Sequence, residues 1–553
     1  MIKADRGYSV FKWLILVFFA VFLVIPIARL MTSITWDSLV KIIKSAAFGR
    51  ALRTSLTVAV LATVISIAIA YVAAWAVTRT AIPCKGVFTL LATLPMLIPS
   101  YSHASGLVFL FGQNGVLTNA LHLDLLFGKS SYIYGIPGIV MGSVLFSVPL
   151  AFIMIADVMR YQDCTPYEAA EVMGIPKPNR FLAITYPYFR KPMISIIFVV
   201  FTAIITDYGV PHIIGGKVIT VAEMMFQKTV KLLDYNTGSV LGLILLFPAV
   251  ISFLLDFTNK DKGNMSFVGR RFEIVKSFRK DAVAFILIVV ISLYLLIPLI
   301  CAAYNSVLTS YPTDMTFTLE HFRTVVFKSG FKYLRNSLII AVVVSLFGIL
   351  LVTVTAYLSA RMKSKLSRVL HLVSMTAMAV PGVVLGLSYV IVFKKSVIYN
   401  TFLIMFLVNA VHMFASPYLM MYNTFSKLNE NLESVGVTLG ISRWHMFKDV
   451  IFPLAKSTVW DAMSYFFIQC MKTITAVAFL WSTYTKPLAI KIDEYNAMIE
   501  TENVAVATLS ILAVNILFKL IVYLRQQAIA RSRTREGNVI LPDLMSNRKQ
   551  ACC

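Results

Sequence analysis

Charged side chains are scarce in this chain, and their scarcity excludes an ordinary soluble protein. They make up 14% of the 553 residues, whereas 58% are hydrophobic and the mean hydropathy is +0.80. A soluble domain cannot bury that much apolar surface. Many apolar runs reach the roughly 18–20 residues that a helix needs to cross a bilayer, and lipid offers no partners for unpaired backbone groups. We therefore expect an all-α, polytopic membrane protein.

Paired cysteines, metal-ligand spacings and nucleotide-binding motifs are missing as well. The six cysteines show no paired spacing, so neither a disulfide framework nor a zinc site is predicted. His103, His212 and His412 form no ligand spacing, and we expect no bound metal. A phosphate-binding loop needs Gly, four residues and Gly-Lys-Ser/Thr, but the nearest candidate, Gly128-Lys129-Ser130, has Leu123 where the first glycine belongs. The sequence predicts a chain that binds no cofactor and is not itself an enzyme.

The apolar runs and the basic loops between them predict a topology. We expect about twelve transmembrane helices, at residues 10–31, 55–78, 88–111, 136–158, 192–210, 238–256, 282–304, 336–360, 369–393, 400–422, 457–481 and 503–524. Of the 50 Lys and Arg residues, 30 lie on the side that holds both termini, 16 lie on the other side and four fall within the predicted spans. Because loops rich in these residues stay in the cytoplasm, both termini are expected to be cytoplasmic. The net charge of +24 then reflects these loops, and no nucleic-acid partner is predicted.

The chain contains an internal repeat. Residues 51–60 (ALRTSLTVAV) match residues 333–342 (YLRNSLIIAV) at an offset of 282 positions, and Pro99 meets Pro381 at the same offset. An even number of spans in each half makes the two copies parallel in the membrane, with a path between them. We therefore divide the chain into a first half, a basic cytoplasmic linker, a second half and a cytoplasmic tail, at residues 1–258, 259–281, 282–526 and 527–553.

One polar segment in each half follows the same plan of glycine and proline. Gly174 and Pro187 lie thirteen positions apart, as do Gly440 and Pro453. In each copy a short helix is predicted to end at the glycine, and a second short helix to stop at the proline. An exposed short helix with an apolar face suits insertion into a partner's groove. An ordinary turn-rich loop is the alternative, but two copies with matched spacing favour docking sites.

These segments resemble the loop pattern of ABC-transporter permeases of the binding-protein-dependent importer type. That pattern is Glu-Ala-Ala, three residues, Gly, nine residues, Ile, one residue, Leu-Pro. The first copy departs from it at Tyr186, and the second copy is more divergent, with its glutamate one position early and Val450 and Phe452 in place of the isoleucine and leucine. The resemblance implies the type I importer permease fold. It also implies that the following residues dock the ATPase: Glu168, Ala169, Ala170, Gly174, Ile184, Pro187, Glu433, Gly436, Gly440 and Pro453.

The resemblance also implies the partners of the chain. Two ATP-binding cassette subunits would use ATP on the cytoplasmic face of a bacterial inner membrane, and an extracytoplasmic solute-binding protein would deliver solute. The fused two-half form, with residues 207–211 (DYGVP) and 476–480 (AVAFL), resembles permeases for ferric iron and for 2-aminoethylphosphonate, of which ferric iron is the first choice. A secondary transporter driven by an ion gradient is the alternative, and it needs no ATPase.

Two charged residues at membrane depth mark a candidate translocation path. Asp207 and Lys472 lie on the span that follows the docking segment of each half. The docking glycines Gly174 and Gly440 are offset by 266 positions, and at that offset Asp207 and Lys472 are one position apart. Such groups usually face a bundle interior or a wet cavity. We therefore assign Asp207, Tyr208, Lys472 and Thr473 to the path. The alternative is that both charges lie near the membrane surface and extend to water.

Overall fold

The computed structural model describes residues 2–122, 133–259, 272, 274, 276–362, 364–429 and 431–550. The helices before residue 260 are Ile2–Phe19, Ile25–Thr32, Trp36–Ile43, Ala46–Arg79, Lys85–Thr93, Ser100–Phe111, Val116–Ala120, Ile136–Arg160, Thr165–Val172, Lys177–Arg180, Tyr186–Ile205, Gly209–Ile214, Val221–Phe226 and Tyr235–Asn259. Those after residue 275 are Phe278–Asn305, Glu320–Phe322, Phe331–Ala360, Lys365–Thr376, Gly382–Phe393, Phe402–His412, Ala415–Ser426, Leu432–Thr438, Arg443–Met446, Phe452–Lys472, Leu488–Ala497 and Thr501–Gln550.

Short irregular turns and one hairpin complete the fold. Turns of π-helix cover Ala20–Val24, Phe181–Thr185, Gln227–Lys231, Arg323–Phe327 and Phe447–Ile451, and turns of 3₁₀-helix cover Leu94–Leu97 and Ala377–Ala379. Strands Leu308–Ser310 and Asp314–Phe317 pair antiparallel. The all-α class is thus confirmed. Most of the predicted linker, 259–281, lies outside the described residues, and the predicted tail, 527–553, continues the last helix as far as Gln550.

The described residues contain eight helices long and apolar enough to cross a membrane, or up to eleven if each of three bent helix pairs is one span. The chain is therefore a multi-pass membrane protein. Of the twelve predicted spans, 457–481 has no counterpart among these eleven. It corresponds to the helix Phe452–Lys472, which has 21 residues but carries Lys456, Asp461 and Lys472 along its length. These charges lower its hydropathy below that of the other spans.

Two predicted spans are sharply bent rather than straight. The helices on either side of Pro99 meet at 100°, and those on either side of Pro381 meet at 105°. The residue before each proline, Ile98 or Val380, is extended. The proline ring disfavours helical geometry at the preceding residue, so the chain changes direction at the same place in both copies.

The first helix of each half packs against the other half. Phe19 contacts Phe414 with ring centroids 4.7 Å apart, and the Tyr389 hydroxyl donates to the Phe22 carbonyl at 2.7 Å. In the opposite direction, the Tyr294 hydroxyl donates to the Met141 carbonyl at 3.3 Å. This exchange interlocks the two halves.

Candidate functional site

The predicted docking segments fold into two elbows of matching construction. The first elbow, residues 165–187, contains helix Thr165–Val172, helix Lys177–Arg180 and the π turn Phe181–Thr185, and it leads into the span Tyr186–Ile205. The second elbow, residues 432–453, contains Leu432–Thr438, Arg443–Met446 and the π turn Phe447–Ile451, and it leads into Phe452–Lys472. The predicted stop at the proline is wrong, because in each half the second short helix continues through the π turn into the following helix. Pro187 and Pro453 lie in the first turn of those following helices.

A left-handed glycine ends the first helix of each elbow. Gly174 and Gly440 both have φ of +69°. In the first elbow, the N–H of Gly174 donates to the Glu171 carbonyl at 3.0 Å, and the N–H of Ile175 donates to the Ala170 carbonyl at 2.9 Å. The second elbow repeats both bonds at 3.1 and 2.8 Å. This is the Schellman arrangement, in which glycine accepts a conformation that a Cβ atom disfavours.

The elbows expose apolar side chains in water-facing loops. Val172 is 90% exposed and Trp444 is 62% exposed. Other large apolar side chains exposed on the elbows are Met173, Phe181, Leu182, Val435, Val437 and Leu439. Exposed apolar patches of this kind mark interaction surfaces. The surface therefore suits a protein partner with an apolar groove.

The predicted docking residues divide between this surface and the packing beneath it. Glu168, Ala169, Gly174, Pro187 and Gly440 are exposed. The remaining positions are buried or half-buried: Ala170, Ile184, Glu433, Gly436 and Pro453.

Gly436 packs closely against the second short helix of its elbow. A Cβ atom on this residue would lie 2.5 Å from Met446 Cε, at the end of a flexible side chain that would have to move. Ala170 occupies the equivalent position of the first elbow and is buried. Both elbows therefore bury a small residue at this position.

An arginine at the end of a span lies beside each elbow, and sequence reasoning missed it. Arg361 forms an ion pair with Glu433, and its Nε donates to Glu433 Oε1 at 2.6 Å. It also donates to the carbonyls of Phe425, Leu428 and Asn429. Glu433 is thus engaged inside the chain, and its predicted contact with an ATPase remains a prediction.

Arg79 plays the corresponding part in the first half. It lies 282 positions before Arg361 and donates to the Met159 carbonyl at 2.8 Å and to Gln162 Oε1 at 2.5 Å. Gln162 in turn donates to the Tyr167 hydroxyl at 2.5 Å. The guanidinium also lies 3.7 Å from the Phe272 ring centroid. The repeat offset relates the two arginines, so a search for matched charges could have found them.

A cavity of about 360 Å³ lies between the two halves. Asp207, Lys472 and Thr473 line it, together with the bend prolines Pro99 and Pro381. The structure thus brings together three of the four residues assigned to the path. Tyr208 does not line this cavity.

Tyr208 instead belongs to an aromatic cluster that joins the halves. Its ring stacks on Phe226 with centroids 4.5 Å apart and meets Tyr101 edge-on at 5.9 Å. Its hydroxyl donates to the Ile474 carbonyl at 3.5 Å. The neighbouring His212 extends this junction because its Nδ1 lies 2.8 Å from Glu223 and its Nε2 lies 3.0 Å from Asp493 of the second half.

Comparison with known proteins identifies the family. The model for the binding-protein-dependent transport system inner membrane component matches this chain twice, at residues 82–260 and 352–531. The chain belongs to this family. The permease is therefore a membrane subunit of an ABC importer, and ATP hydrolysis takes place on separate subunits.

Three relatives align with most of this chain. The putative ferric transport system permease protein FbpB 1 of Haemophilus influenzae is 23% identical over 508 residues, which cover 86% of this chain and 77% of that protein. The ferric transport system permease protein FbpB of Actinobacillus pleuropneumoniae is 23% identical over 504 residues, which cover 86% of this chain and 71% of that protein. A second H. influenzae protein, Fe(3+)-transport system permease protein FbpB 2, is 22% identical over 422 residues, which cover 75% and 77%.

The His212 bridge of the permease gives a prediction for pH. Burial lowers the pKa of His212, but Asp493 and Glu223 outweigh it and raise the pKa to about 9. The bridge therefore contributes stability fully below pH 6.5 and loses it as pH rises through about 9. The rise from 6.5 corresponds to roughly 3 kcal/mol. Thermal unfolding between pH 6 and 9.5 should show this loss in the wild type and not in His212→Gln. The same pH dependence in both would contradict the bridge.

Proposed function

We propose that this permease provides the whole membrane path of an ATP-driven importer in a bacterial inner membrane, with both termini in the cytoplasm. Each elbow docks one of two ATP-binding cassette subunits, which bind and use the ATP. The observation that carries the proposal is the repeated elbow: the same left-handed glycine, the same hydrogen bonds and an exposed apolar face in both halves. An ion-gradient transporter, the alternative, has no use for this pair of surfaces.

The elbows are connected mechanically to the cavity. Helix Tyr186–Ile205 begins at the first elbow, and Asp207 follows its far end. Helix Phe452–Lys472 begins at the second elbow and ends on Lys472. A 20-residue helix is about 30 Å long, so each helix carries movement of an elbow to the cavity wall. Closure of the ATPase pair would then change access to the cavity.

Ferric iron is the solute that we propose first, because relatives that cover most of the chain are named for ferric transport. 2-Aminoethylphosphonate is the second candidate, on the resemblance of residues 207–211 and 476–480. An extracytoplasmic solute-binding protein is expected to deliver the solute on the face opposite the elbows. Selection among solutes then depends on that protein and on the chemistry of the cavity.

Charged substitutions on the elbow surface test ATPase docking. We expect Val172→Asp together with Trp444→Asp to reduce the copurified ATPase subunits by about ten-fold or more, because carboxylates would be buried in an apolar contact. Val397→Asp is the matched control, since Val397 is 95% exposed and lies away from both elbows. Solute uptake should fall in the double variant and be sensitive to vanadate in the wild type. Uptake that persists without bound ATPase subunits would favour the ion-gradient alternative.

A further inference from the structure

The cavity between the halves holds two opposite charges in unequal surroundings. The carboxylate of Asp207 accepts a hydrogen bond from the Val210 N–H at 3.0 Å. A fixed backbone donor therefore faces its negative charge.

Lys472 lacks such compensation. In the part of the chain that the structure describes, no hydrogen bond or ion pair is formed by its Nζ, although the side chain lines the cavity. Asp207 lines the same cavity but is not within ion-pair distance of Lys472. The positive charge is thus the unmatched one.

The remaining polar lining adds no second acid. Its hydroxyl and amide groups come from Ser100, Thr202, Thr206, Ser252, Ser416, Tyr465, Gln469, Thr473 and Thr475, and His412 adds an imidazole ring. Among the described lining residues, Asp207 is the one carboxylate and Lys472 the one side chain with a full positive charge. These neutral groups can hydrogen-bond an oxygen-rich solute of either charge. The preference for an anionic or a cationic solute therefore depends on Lys472.

We propose that the solute crosses with an anionic oxygen group directed at Lys472. An unpaired cation in a poorly polarisable cavity repels other cations and attracts anions far more strongly than in water. Charge-assisted hydrogen bonds from an ammonium to carboxylate, phosphate or phosphonate oxygens are short and strong. This inference rests on the proposed function, because it concerns the same path. If the inference holds, a phosphonate crosses directly. Ferric iron then crosses as a complex with anionic ligands rather than as a bare trivalent cation.

Thermal stabilisation of the purified importer by chosen probes tests the inference. The probes are 2-aminoethylphosphonate, ferric citrate and, as a cation of similar size, putrescine. We expect at least one of the two anion-bearing probes to stabilise the wild type and putrescine to have no effect. Lys472→Met should weaken that binding about ten-fold or more, and Lys472→Arg should stay within about three-fold of the wild type. Stabilisation by putrescine alone, by no probe, or equally in Lys472→Met would overturn the inference.

Two further measurements separate this inference from the proposed function. Copurification of the ATPase subunits is measured in every variant. If the subunits do not copurify with the wild type, docking is contradicted, but the inference about the charge of the solute is not. Lys472→Glu is included because it reverses the charge without changing the position. If this variant binds the anion-bearing probes as well as the wild type does, the cavity does not select anions through Lys472.

Discussion

Replacing Gly174 by valine should abolish docking of an ATPase subunit at the first elbow, and replacing Gly440 by valine should do the same at the second. Both glycines have φ of +69°, which costs a residue with a Cβ atom about 1–2 kcal/mol and a β-branched residue more. No atom of the described residues lies within 4 Å of the added Cβ, so the strain comes from the backbone conformation. The helix would end differently, and Val172 and Met173 would turn away from their present positions. We expect solute uptake to fall at least about ten-fold in either single variant.

Gly49→Val is the matched control for these glycines. Gly49 also has open space around its Cβ position, but its φ lies outside the left-handed region and it belongs to the helix Ala46–Arg79, away from the elbows. Gly174→Asn should lose less solute uptake than Gly174→Val, because asparagine tolerates the left-handed region. Equal losses in Gly49→Val and Gly174→Val would show that valine damages the fold generally, and full activity in Gly174→Val would remove the role of this turn.

The elbows could be predicted from the sequence because local rules decide them. A glycine after a short helix specifies a stop, and this repeats at 174 and 440 with the same dihedral angle. The proline thirteen positions later does not stop the second helix, which continues into the following one. Membrane class and the two-copy arrangement follow from composition and from the offset of 282, and the family match confirms them.

Features that depend on distant contacts were less predictable. Pro99 and Pro381 were recognised as equivalent, yet the apolar runs around them were interpreted as straight spans. Tyr208 follows Asp207 and was assigned to the same path, but the chain turns after Ile205 and its ring faces Phe226 instead. Glu433 was assigned to a partner surface, which remains a prediction, and its ion pair with Arg361, 72 residues away, was not foreseen. The spacing of Arg361 and Glu433 in the sequence did not predict this contact.

The two elbows are held to the bundle by different chemistry, although the arginines are equivalent. Tyr167 in the first half occupies the position of Glu433, 266 residues later. Its hydroxyl contacts Gln162 and Thr185, and its ring meets Phe272 of the linker at 5.0 Å. The first elbow therefore depends on neutral hydrogen bonds and ring packing, whereas the second depends on an ion pair. This asymmetry predicts unequal responses to loss of the two arginines.

Arg361→Gln should be the most destabilising single change at the elbows. The Arg361 side chain is 4% exposed, and its loss leaves the half-buried Glu433 carboxylate without its cation and removes a donor from the carbonyls of Phe425, Leu428 and Asn429. Removing one partner of a buried ion pair costs about 3–5 kcal/mol. We expect a lower unfolding temperature and an uncoupled ATPase, with hydrolysis that no longer depends on solute. Arg79→Gln should reduce the stability less than Arg361→Gln does, because it leaves no carboxylate unpaired.

The double variant Arg361→Gln with Glu433→Gln decides whether the ion pair itself causes this loss. Two glutamines can hydrogen-bond and leave no uncompensated charge, so the double variant should recover much of the stability that Arg361→Gln loses. If the losses of the two single variants simply add, Arg361 acts mainly through the carbonyls of Phe425, Leu428 and Asn429. Recovery of stability without recovery of coupling would show that the charge pair transmits movement of the second elbow to the span ending at Ala360, in addition to holding the elbow in place.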